Sequence, residues 1–485
     1  MQTIRQFPKP RAGHILPATL MLAMASSAAL ADPTDPINPL KDRFLSGKAL
    51  DICDQGSFFV SGVPKVTNYA NSTAGTTPEQ IIIGQSYVQF QIPTKRRKWP
   101  VIAIHGSTHT GAALDATADG NEGWVSQSVR NNLAVFVMDQ PGRGRSGSDQ
   151  SVINEAKALI EGGQVAAGLA MLPTIGGITN NGAWTTWFGH IIDGTNIIDG
   201  TMIRHSDPGD PDPAETDPPS EAHGNYLPRF QIPPDDSSID ANLLARVDAI
   251  GPAPNPINNP YLALNYYRQL VPNFEGLLPG SECPSCNPTT LSSANTWSPR
   301  AIADLVERIG GGILAPHSQS VPQILHAVRV LRERGKLHLV KGIIIPEGVT
   351  NFAQTGTTPK DYDTIPFLLM NGDYRPTGFA RAGNRDFVDQ LNASPTRSVS
   401  PATYVDLDDP ALDGAFLGTT HMMMVGSNAA DVLEFALDWA DENINNPIVQ
   451  TSCPDRPRKH WHPRRHNLYK LFKLWKHHHH QHGRH

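Results

Sequence analysis

The chain has 485 residues, with 40 Lys and Arg against 46 Asp and Glu and a formal charge of −6, long enough for one large domain carrying an elaborate insertion or for two domains. That charge hides an asymmetry. The lead holds Arg5, Lys9 and Arg11, and the stretch 456–485 holds nine Lys or Arg and no acid, so the body between them is strongly acidic, which speaks against nucleic acid as its substrate.

In chain order the first feature is a secretory lead: a basic start, an apolar and small run from Ile15 to Leu30, and the A-x-A sequence Ala29-Leu30-Ala31 before Asp32. Residues 1–31 are expected to be a signal peptide, and the protein secreted or periplasmic. The run is interrupted by Pro17 and is short for a membrane span of ~20 residues. The four cysteines, Cys53, Cys283, Cys286 and Cys453, suit an oxidising compartment and allow three pairings. The favoured pairing is a local Cys283–Cys286 loop with a second bridge from Cys53 to Cys453. A redox or zinc role for Cys283-Pro-Ser-Cys286 lacks a second ligand pair.

Gly56 to Val60 and Tyr87 to Ile92 read as strands of an antiparallel start to a sheet. Val101 to Ile104, ending in His105-Gly106, and Leu133 to Met138, ending in Asp139, are continuous apolar runs, as are Val340 to Ile345, Pro366 to Met370 and Thr403 to Val405. Such runs suit parallel strands covered on both faces. Alternation with amphipathic helices predicts a mostly parallel sheet flanked by helices.

Between about residues 150 and 296 the pattern changes. A helical piece from Val152 to Leu172 leads to Trp184, Trp187 and Phe188, then to a proline-rich acidic run, then to an apolar patch around Tyr261 and Tyr267. This reads as an insertion between two sheet strands, placed where a cap over the carboxyl ends of the strands belongs.

The most informative stretch is Gly312-Ile313-Leu314-Ala315-Pro316-His317-Ser318-Gln319-Ser320. Upstream, Ser298 as N-cap and Pro299 open a helix with the stripe Ile302, Leu305, Val306 and Ile309, closed by glycines at 310–312. Downstream, Ile324, Leu325, Val328 and Leu331 repeat the stripe until Gly335. A strand, sharp turn and helix that present a serine describe the nucleophile elbow of an α/β-hydrolase, whose usual form is G-x-S-x-G. Here Pro316 and Ser320 occupy the glycine places. A serine hydroxyl needs an imidazole base, itself oriented by a carboxylate. His421, one loop before the last helix that buries Val432, Phe435, Ala436 and Trp439, stands where this fold keeps its histidine.

Taken together, His105-Gly106, Asp119-Gly120, Gly123-Trp124, the run Asp139-Gln-Pro-Gly-Arg-Gly-Arg-Ser146, His317-Ser318-Gln319-Ser320, Pro346-Glu347-Gly348 and Thr420-His421-Met422-Met423-Met424 resemble the bacterial secreted esterase 713 family of α/β-hydrolases. The resemblance covers most of the chain from Gly56 to about Asn443, outside the long insertion and the tail. It implies an α/β-hydrolase fold, carboxylesterase activity without a cofactor, and a Ser, Glu, His triad whose acid is Glu347. The rival acid is Asp373, after the next strand, where most α/β-hydrolases keep theirs. Arg375 stands in the usual acid place there, so Asp373 reads as a turn residue.

The oxyanion donors are expected to be backbone N–H groups of Gln319 and of Ser107 in the loop that His105 shapes. The match of Gly142 to Gly147 to the G-x-G-x-x-G nucleotide fingerprint is discounted, because no helix opens directly after it. In the tail, Leu468, Leu471, Phe472 and Trp475 form an apolar stripe flanked by Lys470, Lys473 and Lys476, a pattern for weak contact with an anionic membrane or polymer. Its histidines offer loose metal binding, and the plainer reading is a disordered basic tail. The expected function is hydrolysis of a small ester. An amidase, a lyase and a non-catalytic binding protein on the same fold are the alternatives.

Overall fold

Alternating side chains of the apolar runs serve two separate cores, the physical signature of strands covered on both faces. Ile102, Ile104, Leu314, Ile343, Ile345, Phe367 and Leu369 face one core, while Ala103, Ile313, Ile344, Leu368 and Met370 face the other side. The computed structural model describes residues 49–454, apart from 72–74, 76, 118–121, 173–176, 179–182, 184–186, 188–191, 194–195, 198–268, 273–296, 373–380, 408, 413–414, 417–418 and 427.

The elements run in the order β1 (Ile52–Thr67), β2 (Glu79–Pro93), β3 (Arg96–Arg97), β4 (Val101–Ile104), α1 (Trp124–Arg130), β5 (Val135–Met138), α2 (Gln150–Glu161), α3 (Val165–Met171), β6 (Ile192–Asp193), β7 (Asn196–Ile197) and α4 (Ser298–Ile309). There follow β8 (Gly312–Pro316), α5 (Ser320–Glu333), β9 (Val340–Pro346), α6 (Phe352–Thr355), β10 (Phe367–Asn371), α7 (Arg381–Asn392), β11 (Thr403–Asp406), α8 (Ala429–Asn443) and β12 (Ile448–Gln450). One sheet of eight strands has the order β1-β2-β5-β4-β8-β9-β10-β11. The β1–β2 and β2–β5 pairs are antiparallel and every later pair is parallel. The fold is therefore α/β with a mostly parallel sheet, as the apolar runs predict.

Helices α4, α5 and α7 cover one face through Ile302, Leu305, Val306, Ile324, Leu325, Val328, Phe387 and Leu391. On the other face lie α1, through Val125 and Val129, and α8, through Val432, Ala436 and Trp439. Three local details differ from the sequence reading. The cap of α4 is Trp297, and Ser298 is the first helical residue, because its hydroxyl is used elsewhere, donating to Gln140 Oε1 at 3.1 Å. The helical piece from Val152 to Leu172 is two helices, since Gly162 closes α2 and Gly163 stands at φ +83°. The last helix begins at Ala429, with Asn428 at the N-cap position and its side chain turned to Thr419 Oγ1 instead.

Of the expected insertion, Ala183 and Trp187 are buried against Met422, Met424 and Val425, and Leu270 packs on the same cluster. The lead, Trp184, Phe188, Tyr261 and Tyr267, the Cys283 and Cys286 pair, and the tail lie outside the described residues. Among the described residues no helix is long and apolar enough to cross a membrane.

A disulfide joins Cys53, in β1, to Cys453, just after β12, with a Cα separation of 5.3 Å and 400 residues between them along the chain. Beside it β12 pairs with β3, and Gln450 Nε2 donates to the Thr94 carbonyl at 3.1 Å. A crosslink that closes so long a loop removes much of the unfolded chain's freedom, worth roughly 2–5 kcal/mol. The Cys53→Ser, Cys453→Ser double variant should accordingly unfold several degrees below the wild-type protein in a thermal melt; an unchanged Tm would show that the bridge adds nothing to the paired ends.

Candidate active site

Four neighbouring parallel strands deliver the site. β4 ends at Ile104, β8 at Pro316, β9 at Pro346 and β10 at Asn371, and the residues just beyond them meet at one edge of the sheet. This is the carboxyl edge, where open α/β sheets place their ligands.

Ser318 stands at φ +54° and Glu347 at φ +61°, a left-handed conformation that costs on the order of 1–3 kcal/mol for a residue with a Cβ. Hydrogen bonds over-determine the turn. Ser318 N–H donates to the Glu347 carbonyl at 2.8 Å, His317 N–H to the Ile104 carbonyl at 3.0 Å, and Val321 N–H to the Ser318 carbonyl at 3.0 Å. Ser320, in a glycine place of the usual motif, braces the turn with its hydroxyl. It accepts from His317 N–H at 2.9 Å and shares its proton between the carbonyls of Ile104 and His317, each 2.9 Å away.

The close approach that flanking glycines give elsewhere comes here from the neighbouring strand ends. A methyl group at Gly106 would sit 2.9 Å from Ser318 Cβ, and one at Gly348 would sit 2.3 Å from Val321 Cγ2.

Glu347 and His421 are both buried, at 3% and 0% exposure. Glu347 Oε2 accepts the Gly372 N–H at 3.0 Å, and its Oε1 lies 3.4 Å from His421 Nδ1. His317 Nε2 donates to the His421 carbonyl at 2.9 Å, and the two rings lie 4.7 Å apart. Met422 and Met424 anchor the His421 loop beside Trp187, and Met423 anchors it against Val432 and Ala436 of α8. The structure thus brings Ser318, Glu347 and His421 to one place. Asp373 lies outside the described residues.

Ser107 and Gln319, the expected backbone donors, are both half-buried. The Ser107 carbonyl accepts from His109 Nδ1 at 2.7 Å, and Thr108, at φ +54°, accepts through its carbonyl from Val271 N–H at 2.8 Å. His109 packs on Trp187 with ring centroids 5.0 Å apart. The ring of His105 spans its own loop and the next: Nδ1 donates to the Gly106 carbonyl at 2.9 Å and Nε2 accepts Gln140 N–H at 3.0 Å.

Sequence reading missed Arg143. Its guanidinium, 1% exposed, donates through NH1 to the Gly106 carbonyl at 2.7 Å and through NH2 to Gln140 Oε1 at 2.9 Å and Gln319 Oε1 at 2.6 Å. The available signal was an arginine between two glycines just past a strand end, inside the stretch resembling a nucleotide fingerprint. That stretch forms a short turn, Gly144–Ser146, around Asp139, which accepts from Gly111 N–H at 2.7 Å and Arg145 N–H at 3.0 Å.

Burial lowers the pKa of His109 to about 4, with Arg143 and His421 acting in the same direction. His105 falls to about 3, chiefly by burial and then by the charge of Arg143, with Asp139 opposing. His317 is pushed well below its ordinary value by burial and by His421. Burial pushes Asp139 up, yet its hydrogen bond with Arg145 and the neighbouring His105 hold it below the usual carboxylate range. Among the described residues no three His, Cys, Asp or Glu side chains are grouped to hold a metal ion.

No family model and no curated protein matches this sequence. Among solved structures, a bacterial esterase determined at atomic resolution is similar, with 23% identity over 82% of this chain and 98% of that chain, and a TM-score of 0.56. The two chains share one fold.

The buried imidazoles set a pH dependence of stability. His105 and His109 are neutral when folded at pH 7, and on unfolding each regains its ordinary pKa near 6.5. Below that value the unfolded state binds more protons, so stability falls as pH drops. The loss starts near pH 6.5 and is complete near pH 4 for His109 and near pH 3 for His105; each group contributes on the order of a few kcal/mol. Urea midpoints measured from about pH 8 down to about pH 4 should decline less steeply for His109→Gln than for the wild-type protein. Parallel slopes would mean that His109 is not held neutral.

Proposed function

We propose that this protein is an exported serine carboxylesterase with an α/β-hydrolase fold, related to the esterase 713 family. The observation that carries the reading is the junction of Ser318, on a strained turn, with Glu347, whose carboxylate faces His421 Nδ1 at 3.4 Å. The strand order, with its antiparallel second strand, and the fold shared with a bacterial esterase support it.

In this reading Ser318 Oγ attacks the ester carbonyl carbon while His421 takes the hydroxyl proton. Glu347 holds the imidazole with Nδ1 protonated and stabilises the imidazolium that forms. The N–H groups of Ser107 and Gln319 hold the negative oxygen of the tetrahedral intermediate. Its collapse expels the alkoxide, which receives the proton from His421, and leaves Ser318 acylated. A water molecule, deprotonated by His421, then attacks the acyl carbon; the serine regains its proton and the acid departs. No cofactor enters this sequence. The stretch 150–296 acts as the cap that selects the ester, an assignment supported by the contacts of Trp187 with His109 and of Val271 with Thr108.

Export rests on the lead, with Arg5, Lys9, Arg11 and the Ala29-Leu30-Ala31 site, and on the Cys53–Cys453 bridge, which suits an oxidising compartment. The tail after Asp455 is assigned at most a weak contact with a membrane or polyanion.

Hydrolysis of a chain-length series of p-nitrophenyl esters tests the chemistry. Ser318→Ala should abolish turnover, and Glu347→Gln should lower kcat by roughly 10²–10⁴-fold, as expected when the base loses the group that fixes its tautomer. Asp373→Asn should stay active. A fully active Glu347→Gln enzyme would move the acid to Asp373, and turnover independent of Ser318 would overturn the mechanism.

A further inference from the structure

Cleavage of an ester by Ser318 needs two backbone N–H groups, from segments far apart in sequence, aimed at one point. Neither segment is regular structure: Gly106-Ser107 lies in the loop after β4, and Gln319 lies between the turn and α5. A loop delivers such precision only when other groups fix its peptide planes.

We propose that Arg143 is the positioning residue of the oxyanion site, fixing the Gly106–Ser107 peptide and Gln319 around one buried cation. The inference rests on the serine esterase reading. The Ser107 N–H belongs to the same planar unit as the Gly106 carbonyl, and in a trans peptide the two point in opposite directions. Whatever holds that carbonyl therefore aims that N–H. Among the described residues it accepts from Arg143 NH1 at 2.7 Å and from His105 Nδ1 at 2.9 Å.

The same guanidinium reaches the second donor residue, with NH2 2.6 Å from Gln319 Oε1. The Gly106 backbone lies against Ser318, since even an added methyl would come within 2.9 Å of Ser318 Cβ. Arg143 itself is held by Gln140 Oε1 at 2.9 Å, and Gln140 in turn donates through its side chain to the His105 carbonyl at 2.8 Å.

A planar fork suits this task. It gives each of two nitrogens a fixed direction, which a lysine ammonium lacks. Its charge, itself buried, lies near the point where negative charge develops and adds stabilisation there. Charge-assisted bonds to the carbonyl also polarise the peptide and make its N–H a stronger donor.

The test compares Arg143→Lys, Arg143→Met and Gln319→Met in the full-length protein. The readouts are kcat and KM on p-nitrophenyl acetate, the pH profile of kcat/KM, and inhibition by an alkyl trifluoromethyl ketone, which forms a tetrahedral oxyanion with a catalytic serine. Arg143→Met should lower kcat by roughly 10²-fold with KM little changed, and should weaken the ketone by the same factor as kcat/KM. Arg143→Lys, retaining one bond, should fall between it and the wild type. Gln319→Met should show a smaller loss of the same kind, and the double variant should be no worse than Arg143→Met alone. The pH limb set by the base should stay in place.

If Arg143→Met does not fold, Gln319→Met, at a half-buried position, decides the matter. Unchanged kcat and ketone affinity in the variants, beside a wild type that shows Ser318-dependent turnover, would overturn the positioning role alone. A wild type with neither Ser318-dependent turnover nor ketone binding would remove the esterase reading, and this inference with it.

Discussion

The hydrogen bond from Ser318 N–H to the Glu347 carbonyl, 2.8 Å long, joins two residues that both stand in the left-handed region. Each conformation is unfavourable alone and persists because the strands beneath leave no alternative. β8 and β9 are parallel neighbours, so their chains leave the sheet side by side. A positive φ at Glu347, the first residue beyond β9, and at Ser318, the second beyond β8, lets the Ser318 N–H meet the Glu347 carbonyl. Glu347 N–H continues the chain of bonds to the Met370 carbonyl of β10 at 3.0 Å, and Gly372 N–H returns it to the Glu347 carboxylate at 3.0 Å. The geometry of the site is thus inherited from three strand ends in a close-packed sheet, which is stiffer than any loop.

Around this frame the interior is kept poor in mobile protons. His105, His109 and His317 are all pushed below their ordinary pKa, chiefly by burial. Removing an ion from water is costly, and a neutral imidazole hydrogen-bonded to a carbonyl avoids that cost. A protonated His109 would be repelled by a protonated His421. With His109 and His317 neutral, neither places a positive charge beside His421. Two buried charged groups near the site, Arg143 and Asp139, are instead set on the Gly106 and Gly144 turns and held in hydrogen bonds.

What the sequence disclosed follows from the distance between cooperating residues. Ile302, Leu305 and Val306 betray α4, and the apolar runs betray the strands, because a periodic pattern is local. Ser318 was legible because strand, turn and helix are contiguous. Glu347 was assigned through resemblance, since nothing in Pro346-Glu347-Gly348 alone marks a catalytic acid. Arg143 was illegible because its partners lie at Gly106, Gln140 and Gln319. Ser320 looked like a departure from the motif, and its function became visible only with the Ile104 carbonyl, brought against it by β4. The break at Gly162 and Gly163 reverses the lesson: the glycines were local and visible, and the apolar periodicity on both sides concealed the turn between them.

The His421 loop belongs to two structures at once. Its alternate methionines point to opposite sides: Met423 enters the core under α8, while Met422 and Met424 join Trp187 and Ala183 of the long insertion. Trp187 also packs on His109, and Val271 bonds to Thr108 beside the expected oxyanion loop. The insertion therefore supports the segments that carry His421 and Ser107, through the Trp187 side chain and the Val271 backbone. In the proposed mechanism, a change in the insertion that altered which ester enters would also move the groups that act on it. Trp187 is therefore the side chain through which the insertion meets both the His421 loop and the loop after β4.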